Sequence, residues 1–482
     1  MKKILLIVPP TGKYIREDRC QTPIEKLKTV ALRPPIDLLY AASSFESAGC
    51  DCRLVDFPAE RKSWEDLRTA IKEFDPEMLV ISITTPSLSQ DVEAASLAKV
   101  INPAILTIAK GAHFNTLDVD SLERYPMLDA ALRGEYELTC REIGEGRDFG
   151  GIQGLSYRKK NGAIIQNPDR PFCEDLDSLP FPARHLVNNE LYIRPDTGEP
   201  QTTLVTNRGC PFNCIFCLAN QVAGRKNRVR SLENILEEIE ECVTKYKIRN
   251  FLFRSDLFTA NKKWVMELCG KIRERNLSIS WACNSRSDTI DEELLQALKG
   301  AGCWLIAYGV ESGDQAILDR MNKKMTLDDT RKALRLTRES GIKSSIYFLF
   351  GLPWDTEEIF QTDLEFAKEL DPDFLEIFYV YPFPGTRLYE IGVEEGLLKK
   401  GEIPKAAYDA PAMATKYVTI EELGRWRKRF LLKFYLRPRY LLKTLGKIRS
   451  LPVLLNYIKY GLKQLADLIM PDKGNKQDSL TK

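Results

Sequence analysis

Cys210, Cys214 and Cys217 lie together in the stretch GCPFNCIFC, with three residues and then two between them. Three thiolates so close can hold three irons of a 4Fe-4S cluster and leave the fourth iron without a protein ligand. Electron carriers bind such clusters through four cysteines. An open position marks a centre that binds a small molecule, by the logic that separates catalytic from structural zinc sites. The motif therefore points to catalysis rather than electron storage. The alternatives are buried structural thiols or half of a zinc site. A zinc site needs a second pair at metal spacing, and Cys242, Cys269, Cys283 and Cys303 stand singly along predicted helices and strands. The remaining nine of the 12 cysteines read as ordinary buried residues. No secretory segment or disulfide framework accompanies them, so the expected location is cytoplasmic.

A chain of 482 residues is too long for one core and implies about three domains. Its 44% hydrophobic and 29% charged residues are those of a globular protein, and a net charge of +2 gives no general attraction to nucleic acid. No apolar run approaches the roughly 20 residues that span a bilayer.

Residues 1–145 alternate short apolar runs with helical patterns, which predicts a doubly wound parallel sheet of the α/β class. Strands are expected at Ile4–Val8, Arg53–Val55, Met78–Ile83, Ile105–Ala109 and Leu128–Ala131, with helices after Pro34-Pro35 and near Trp64–Phe74 and Gln90–Val100. Ligands of such sheets lie at the carboxyl ends of the strands, where Thr84, Thr85, Gly111, His113, Gly134 and Glu135 fall. Residues 146–200 read as a linker, with a hairpin at Asn161-Gly162 and then a proline-rich passage holding His185.

Over 201–400 the alternation has a longer period. Strands are predicted at Thr202–Thr206, Asn250–Arg254, Ile279–Cys283, Trp304–Tyr308, Ser344–Phe350 and Phe374–Val380. Helices fit between them at Leu232–Tyr246, Lys262–Arg275, Asp291–Lys299, Leu327–Ser340 and Thr356–Leu370. Six such units make a partial barrel whose chemistry belongs at the carboxyl ends of its strands, and the three cysteines directly follow the first.

The cysteine spacing, with Phe216 before the last thiol, resembles the signature of the radical S-adenosylmethionine (SAM) enzymes. The order of the double proline, Asp56, Thr84-Thr85, the Gly111-Ala112-His113 loop and Gly134-Glu135 before that motif is similar to the cobalamin-binding domain of one large class of the family. The segments DLDSLPFPARHL and YPFPGT resemble others of the same class. The resemblance implies a 4Fe-4S cluster, S-adenosylmethionine bound at the open iron, and cobalamin. It matches Asp256 to an acidic site near the cofactor and Arg286 to the basic residue that pairs with its carboxylate. It likewise matches Glu311, Ser312 and Gly313 to the ribose segment and Gly351 to the adenine turn. Each also has a plain reading: Arg286 as partner of Asp288, Glu311 as a helix N-terminal residue, and Gly351 as a turn former. No Asp-x-His-x-x-Gly segment is present, so cobalamin is expected without a histidine on cobalt.

The last unit, 401–482, carries no acidic residue between Leu423 and Ala466 while placing basic residues among Trp426, Phe430, Phe434, Tyr435 and Tyr440. Two readings follow: a peripheral contact with the inner face of a membrane, or helices docked on the barrel with a basic outer face. Pro471 to Lys482 is polar and is expected to be disordered.

The expected activity is cobalamin-dependent methylation of an unactivated carbon or phosphorus centre, on a small-molecule, lipid or isoprenoid substrate, fed by a reduced flavodoxin or ferredoxin-type donor, with no specific nucleic-acid partner. The rival is a cyclase, oxidase or carbon–carbon bond former that keeps both domains without methyl transfer. A third reading, a cluster-bearing redox or sensory protein, conflicts with the open three-cysteine site.

Overall fold

The computed structural model describes residues 1–17, 20–23, 32–404 and 410–446. It opens with β1 (Lys3–Val8), whose apolar residues are all buried, as in a parallel strand covered on both faces. A short antiparallel pair follows, β2 (Tyr14–Glu17) and β3 (Cys20–Pro23). The unit continues through α1 (Ile36–Ser47), β4 (Asp51–Asp56), α2 (Trp64–Phe74), β5 (Met78–Ser82), α3 (Leu88–Asp91) and α4 (Glu93–Ile101). It is completed by β6 (Leu106–Lys110), α5 (Phe114–Arg124), β7 (Ala130–Leu132) and α6 (Glu137–Gly144). The strands order as β4-β1-β5-β6-β7, all parallel, with an apolar core on each face.

The hairpin of β8 (Leu155–Arg158) and β9 (Ile164–Gln166) lies where Asn161-Gly162 predicts it, yet it is not free-standing. β8 pairs antiparallel with β7, extending the first sheet to seven strands and covering an edge that β7 would otherwise expose.

The second sheet is built from β10 (Gln201–Val205), β13 (Asn250–Arg254), β14 (Ser280–Ser285), β15 (Cys303–Glu311), β16 (Lys343–Phe350) and β17 (Phe374–Tyr379), in that order and all parallel. A two-stranded ribbon, β11 (Asn207–Arg208) with β12 (Arg228–Val229), flanks the cysteine loop and the short α7 (Ala219–Ala223). Between the strands run α8 (Leu232–Thr244), α9 (Lys262–Glu274), α10 (Glu292–Gly300), α11 (Gln315–Arg320), α12 (Leu327–Glu339) and α13 (Glu357–Leu370). Capping fixes several starts, as where Thr326 and Asp329 form a reciprocal capping box at α12.

The barrel stays open between β10 and β17, and other segments cover both edges. Arg184 from the linker donates to Thr203 O at 2.8 Å beside β10. At the other edge, after α14 (Arg387–Glu394), lie α15 (Ile420–Tyr435) and α16 (Pro438–Gly446). Here the Leu375 N–H donates to Tyr435 Oη at 2.9 Å, Tyr435 Oη donates to Leu375 O at 2.7 Å, and Arg427 Nε donates to Ile377 O at 3.0 Å. These side chains take the place of a seventh strand.

This packing assigns the aromatic residues of the last unit to the barrel, as the docked-helix reading expects. Trp426, Phe430, Phe434 and Tyr440 are buried in the barrel core, and the Arg437 and Lys443 cations pair with Asp371. The aromatic side chains are spent on closing the barrel. Residues 447–482, with the rest of the basic stretch and the Pro471 to Lys482 tail, lie outside the described residues. Among the described residues no helix is long and apolar enough to cross a membrane.

Candidate active site

The carboxyl ends of the two parallel sheets face one another across an open cleft. The first unit contributes Asp37 and Gly134 to Glu137, and the barrel contributes Asn207, Arg208 and Arg254 to Asp256. Charges close the junction. Arg208 donates to Glu137 at 2.5 Å, and Arg228 binds both oxygens of Glu135 at 2.7 and 2.9 Å. Arg254 donates to Asp37 at 2.8 Å, and Lys110 Nζ stands 3.2 Å from the other oxygen of that carboxyl. Burial pushes the Asp37 carboxyl up, but the Arg254 and Lys110 cations outweigh it and hold the group below the usual carboxylate range.

The cysteine loop leaves β11 at the rim of this cleft. Gly209 has φ +93°, and a Cβ there would stand 2.0 Å from Lys226 O, so only glycine lets the loop pass. Its N–H donates to Asp256 Oδ2. Cys210 N–H donates to Gly224 O at 3.0 Å and Ile215 N–H to Met321 O at 3.1 Å, tying the loop to both sides of the barrel mouth. All three cysteines are half-buried and none forms a disulfide. Phe216 packs in the apolar cluster with Leu349, Leu352 and Trp354, beneath the Gly351 turn.

Two cations act on the loop. Arg286, 6% exposed, holds Asp288 through two bonds of 2.9 and 2.7 Å and stacks 3.7 Å from the centre of the Phe212 ring. Among the described residues nothing accepts from its Nη1. Lys323, unnoticed in the sequence, reaches Glu311 Oε1 at 2.6 Å. Burial pushes the Cys214 thiol up, opposed by the Lys323 and Arg286 charges.

Backbone shape governs the rest of the mouth. Glu311 ends β15 at φ +68°, an unusual conformation for a residue other than glycine. A Cβ at Gly309 would lie 2.3 Å from Glu311 Oε1 and 3.0 Å from Lys323 Nζ, so that glycine makes room for the pair. Asp363 of α13, also missed in the sequence, accepts from Ser312 Oγ at 2.8 Å and Gly313 N at 2.5 Å. Asp355 accepts from the N–H groups of Gly351 and Leu352 at 2.9 and 3.0 Å.

In the first unit, the structure turns several expected cofactor contacts inward. Thr84 N–H donates to Asp91, and its hydroxyl meets Ser87 Oγ at 2.5 Å. Thr85 N–H donates to Gln21 Oε1 at 2.7 Å. His113 is buried with Nδ1 3.3 Å from Thr85 Oγ1 and Nε2 3.1 Å from Ser121 Oγ, and burial holds its pKa down to about 4. Glu135 serves as the clamp for Arg228 and the Cys173 N–H. Gly111 lets two loops approach, because a Cβ there would lie 2.0 Å from Ile83 O. Gly134, with φ +64° and its N–H bonded to Asn115, lines the cleft itself.

The three free, half-buried thiols suit an iron–sulfur cluster. Among the described residues, no three His, Cys, Asp or Glu side chains converge as a single metal ion would require. A four-iron cluster asks for something else, one thiolate on each of several irons, and the loop offers thiols alone. The remaining histidine, His185, pairs with Glu46 at 2.9 Å.

The model of the B12 binding domain matches residues 28–144, and that of the radical SAM superfamily matches residues 204–367. An uncharacterized methyltransferase of Pyrococcus horikoshii is 33% identical over 447 residues, 92% of this chain and 94% of its own. An anaerobic magnesium-protoporphyrin IX monomethyl ester cyclase of Rubrivivax gelatinosus is 28% identical over 74% of this chain and 66% of its own length. A cytidylyl-2-hydroxyethylphosphonate methyltransferase of Streptomyces wedmorensis is 25% identical over 76% of this chain and 79% of its own. The fold is similar to that of the radical SAM methyltransferase TsrM from Kitasatospora setae, solved with cobalamin and a [4Fe-4S] cluster bound. Its TM-score is 0.69 at 17% identity, over 97% of this chain and 100% of that one.

Proposed function

The chain belongs to the radical SAM superfamily, in the branch of cobalamin-dependent methyltransferases, and from that premise we propose how its residues divide the work. Bound, the cofactors supply a hydrogen-abstracting radical from S-adenosylmethionine and a transferable methyl group. Cys210, Cys214 and Cys217 would hold three irons, and the Gly209 to Asp256 bond sets the angle at which their loop leaves β11. Arg286, already fixed by Asp288 and Phe212, offers Nη1 to the carboxylate of S-adenosylmethionine. The Glu311 carboxylate, steadied by Lys323, and the Ser312-Gly313 turn, steadied by Asp363, take the ribose. The Gly351 turn takes the adenine. Gly134 and the cleft edge take the corrin, while Thr84, Thr85, Gly111 and His113 shape those loops from behind.

The reaction we assign is methylation of an unactivated carbon or phosphorus centre. One observation carries it: the cleft joins the carboxyl ends of both sheets, so groups held by each unit face the same space. A lipid or isoprenoid acceptor loses the support of the basic tail, whose described aromatic residues are core. The electron donor is a reduced flavodoxin or ferredoxin-type protein. The resemblance to the Rubrivivax cyclase favours a second reading, ring closure without methyl transfer.

Metal content separates the two. Protein produced with cobalamin and reconstituted without oxygen is expected to hold about four irons and about one cobalt per chain. It should also pass label from methyl-deuterated S-adenosylmethionine to product. Iron without cobalt would move the cyclase reading to the front. A Cys214→Ala variant should lose cleavage of S-adenosylmethionine while still binding cobalt, and retained cleavage would refute the cluster assignment.

A further inference from the structure

The inner face of the last barrel strand carries a carboxyl that the site above does not use. Leu375, Ile377 and Tyr379 face outward into the core shared with α13 and α15, so strand alternation turns Glu376 and Phe378 to the lumen. Register sets Glu376 beside Tyr347 of β16, whose ring meets that of Phe378 at 5.4 Å and 60°. Glu376 is 6% exposed, and its Oε1 is buried without a hydrogen-bond partner among the described residues. Among the described residues no cation lies within ion-pair distance of it. Burial pushes the carboxyl up to about 7, with the Arg427 charge opposing.

The position is informative. Phe378, one strand repeat or about 7 Å above Glu376, shares an apolar cluster with Ile215 and Phe216 of the cysteine loop. Below, the barrel is plugged. Arg194 stacks 3.7 Å from the Trp304 ring centre and donates to Ser280 Oγ at 2.8 Å, and Lys343 stands 5.8 Å from the rings of Trp304 and Phe374. A buried oxygen without a donor is costly, and one between a sealed floor and a reactive mouth calls for a donor that the described residues do not supply.

We propose that Glu376, beside the rings of Tyr347 and Phe378, is the subsite for a protonated nitrogen of the methyl acceptor. A carboxylate with aromatic neighbours suits an ammonium ion through charge and ring quadrupole together. The nitrogen keeps its proton, and the ion pair hangs the acceptor from the lumen wall with its reacting centre toward the cysteine loop. The assignment rests on the reading that the lumen holds the acceptor.

The test uses primary alkylammonium ions from ethyl to hexyl, with alcohols of equal length as uncharged controls. Binding to the full, anaerobically reconstituted chain is followed by saturation-transfer NMR. We expect ammonium binding to weaken about ten- to a hundredfold in Glu376→Gln and to be unchanged in the surface control Glu358→Gln. Binding that is equal in the wild type and Glu376→Gln, or absent from the wild type, overturns the proposal. Circular dichroism establishes that Glu376→Gln is folded. Cleavage of S-adenosylmethionine without acceptor reports separately on the mouth. If the wild type fails to cleave, the functional reading falls while the ammonium result still decides the subsite.

Discussion

Lys323 Nζ lies 2.6 Å from Glu311 Oε1, with the two side chains only 7% and 9% exposed. Breaking a buried pair leaves one charge without compensation, which costs about 3–5 kcal/mol. Lys323→Met should therefore destabilise the metal-free protein by about that amount, and Lys323→Met with Glu311→Gln should recover most of it. Denaturant melts of the wild type, Lys323→Met, Glu311→Gln and the double variant check this. Equal stability of the single and double variants would mean that the pair is not coupled.

Arg254 holds two carboxylates of the first unit, Asp37 at 2.8 Å and Glu17 at 3.5 Å. Both carboxyls are held low in the fold, burial raising them and the nearby arginines together with Lys110 prevailing. Groups lowered in this way stabilise the fold above their unfolded pKa, and that stability is lost as pH falls through the folded value. Arg254→Met should therefore melt lower than wild type at pH 7, with the gap narrowing below about pH 4. Melting curves across that range test the sign.

Glu376 behaves in the opposite sense. Its pKa rises from 4.5 to about 7 on folding, so the stability it contributes is present below the unfolded value and is lost as pH climbs through 7. Glu376→Gln should match wild type near pH 4.5 and exceed it by up to about 3 kcal/mol at pH 8, at about 1.4 kcal/mol per unit. A constant difference between the two melts at every pH would contradict this.

Phe430 is fully buried and meets Phe348 and Phe350 with ring centres 5.6 Å apart. Phe430→Ala should cost about 3–5 kcal/mol. Because Trp426 lies in the same core, its fluorescence should not shift when anionic vesicles are added, read in a variant whose other tryptophans are replaced by phenylalanine. A blue shift of Trp426 on vesicles would restore the interfacial reading of α15.

Much of this architecture is legible in the chain itself. Apolar alternation locates Asn250–Arg254 to the residue and the other barrel strands to within a few, because burial of a parallel strand is written into its own residues. The cysteine spacing and the Asn161-Gly162 turn are likewise local, depending on residues a few positions apart.

The partnerships are not local. Asp363 meets Gly313 from 50 residues away, Arg228 meets Glu135 from 93, and Arg254 meets Asp37 from 217. Periodicity tells which face of an element is buried but not what buries it. For that reason the aromatic residues of α15 fit a membrane and a barrel edge equally well until the outer edge of β17 is seen without a strand among the described residues. Nor does sequence say that Thr84 and His113 spend their hydrogen bonds on neighbouring loops, or that Glu376 Oε1 meets no donor among the described residues. The chain by itself determined its strands, its cysteine loop and the class of chemistry they serve. The tertiary structure alone decided which charges meet, because the closing of two parallel sheets brings the carboxyl ends of distant strands to one cleft.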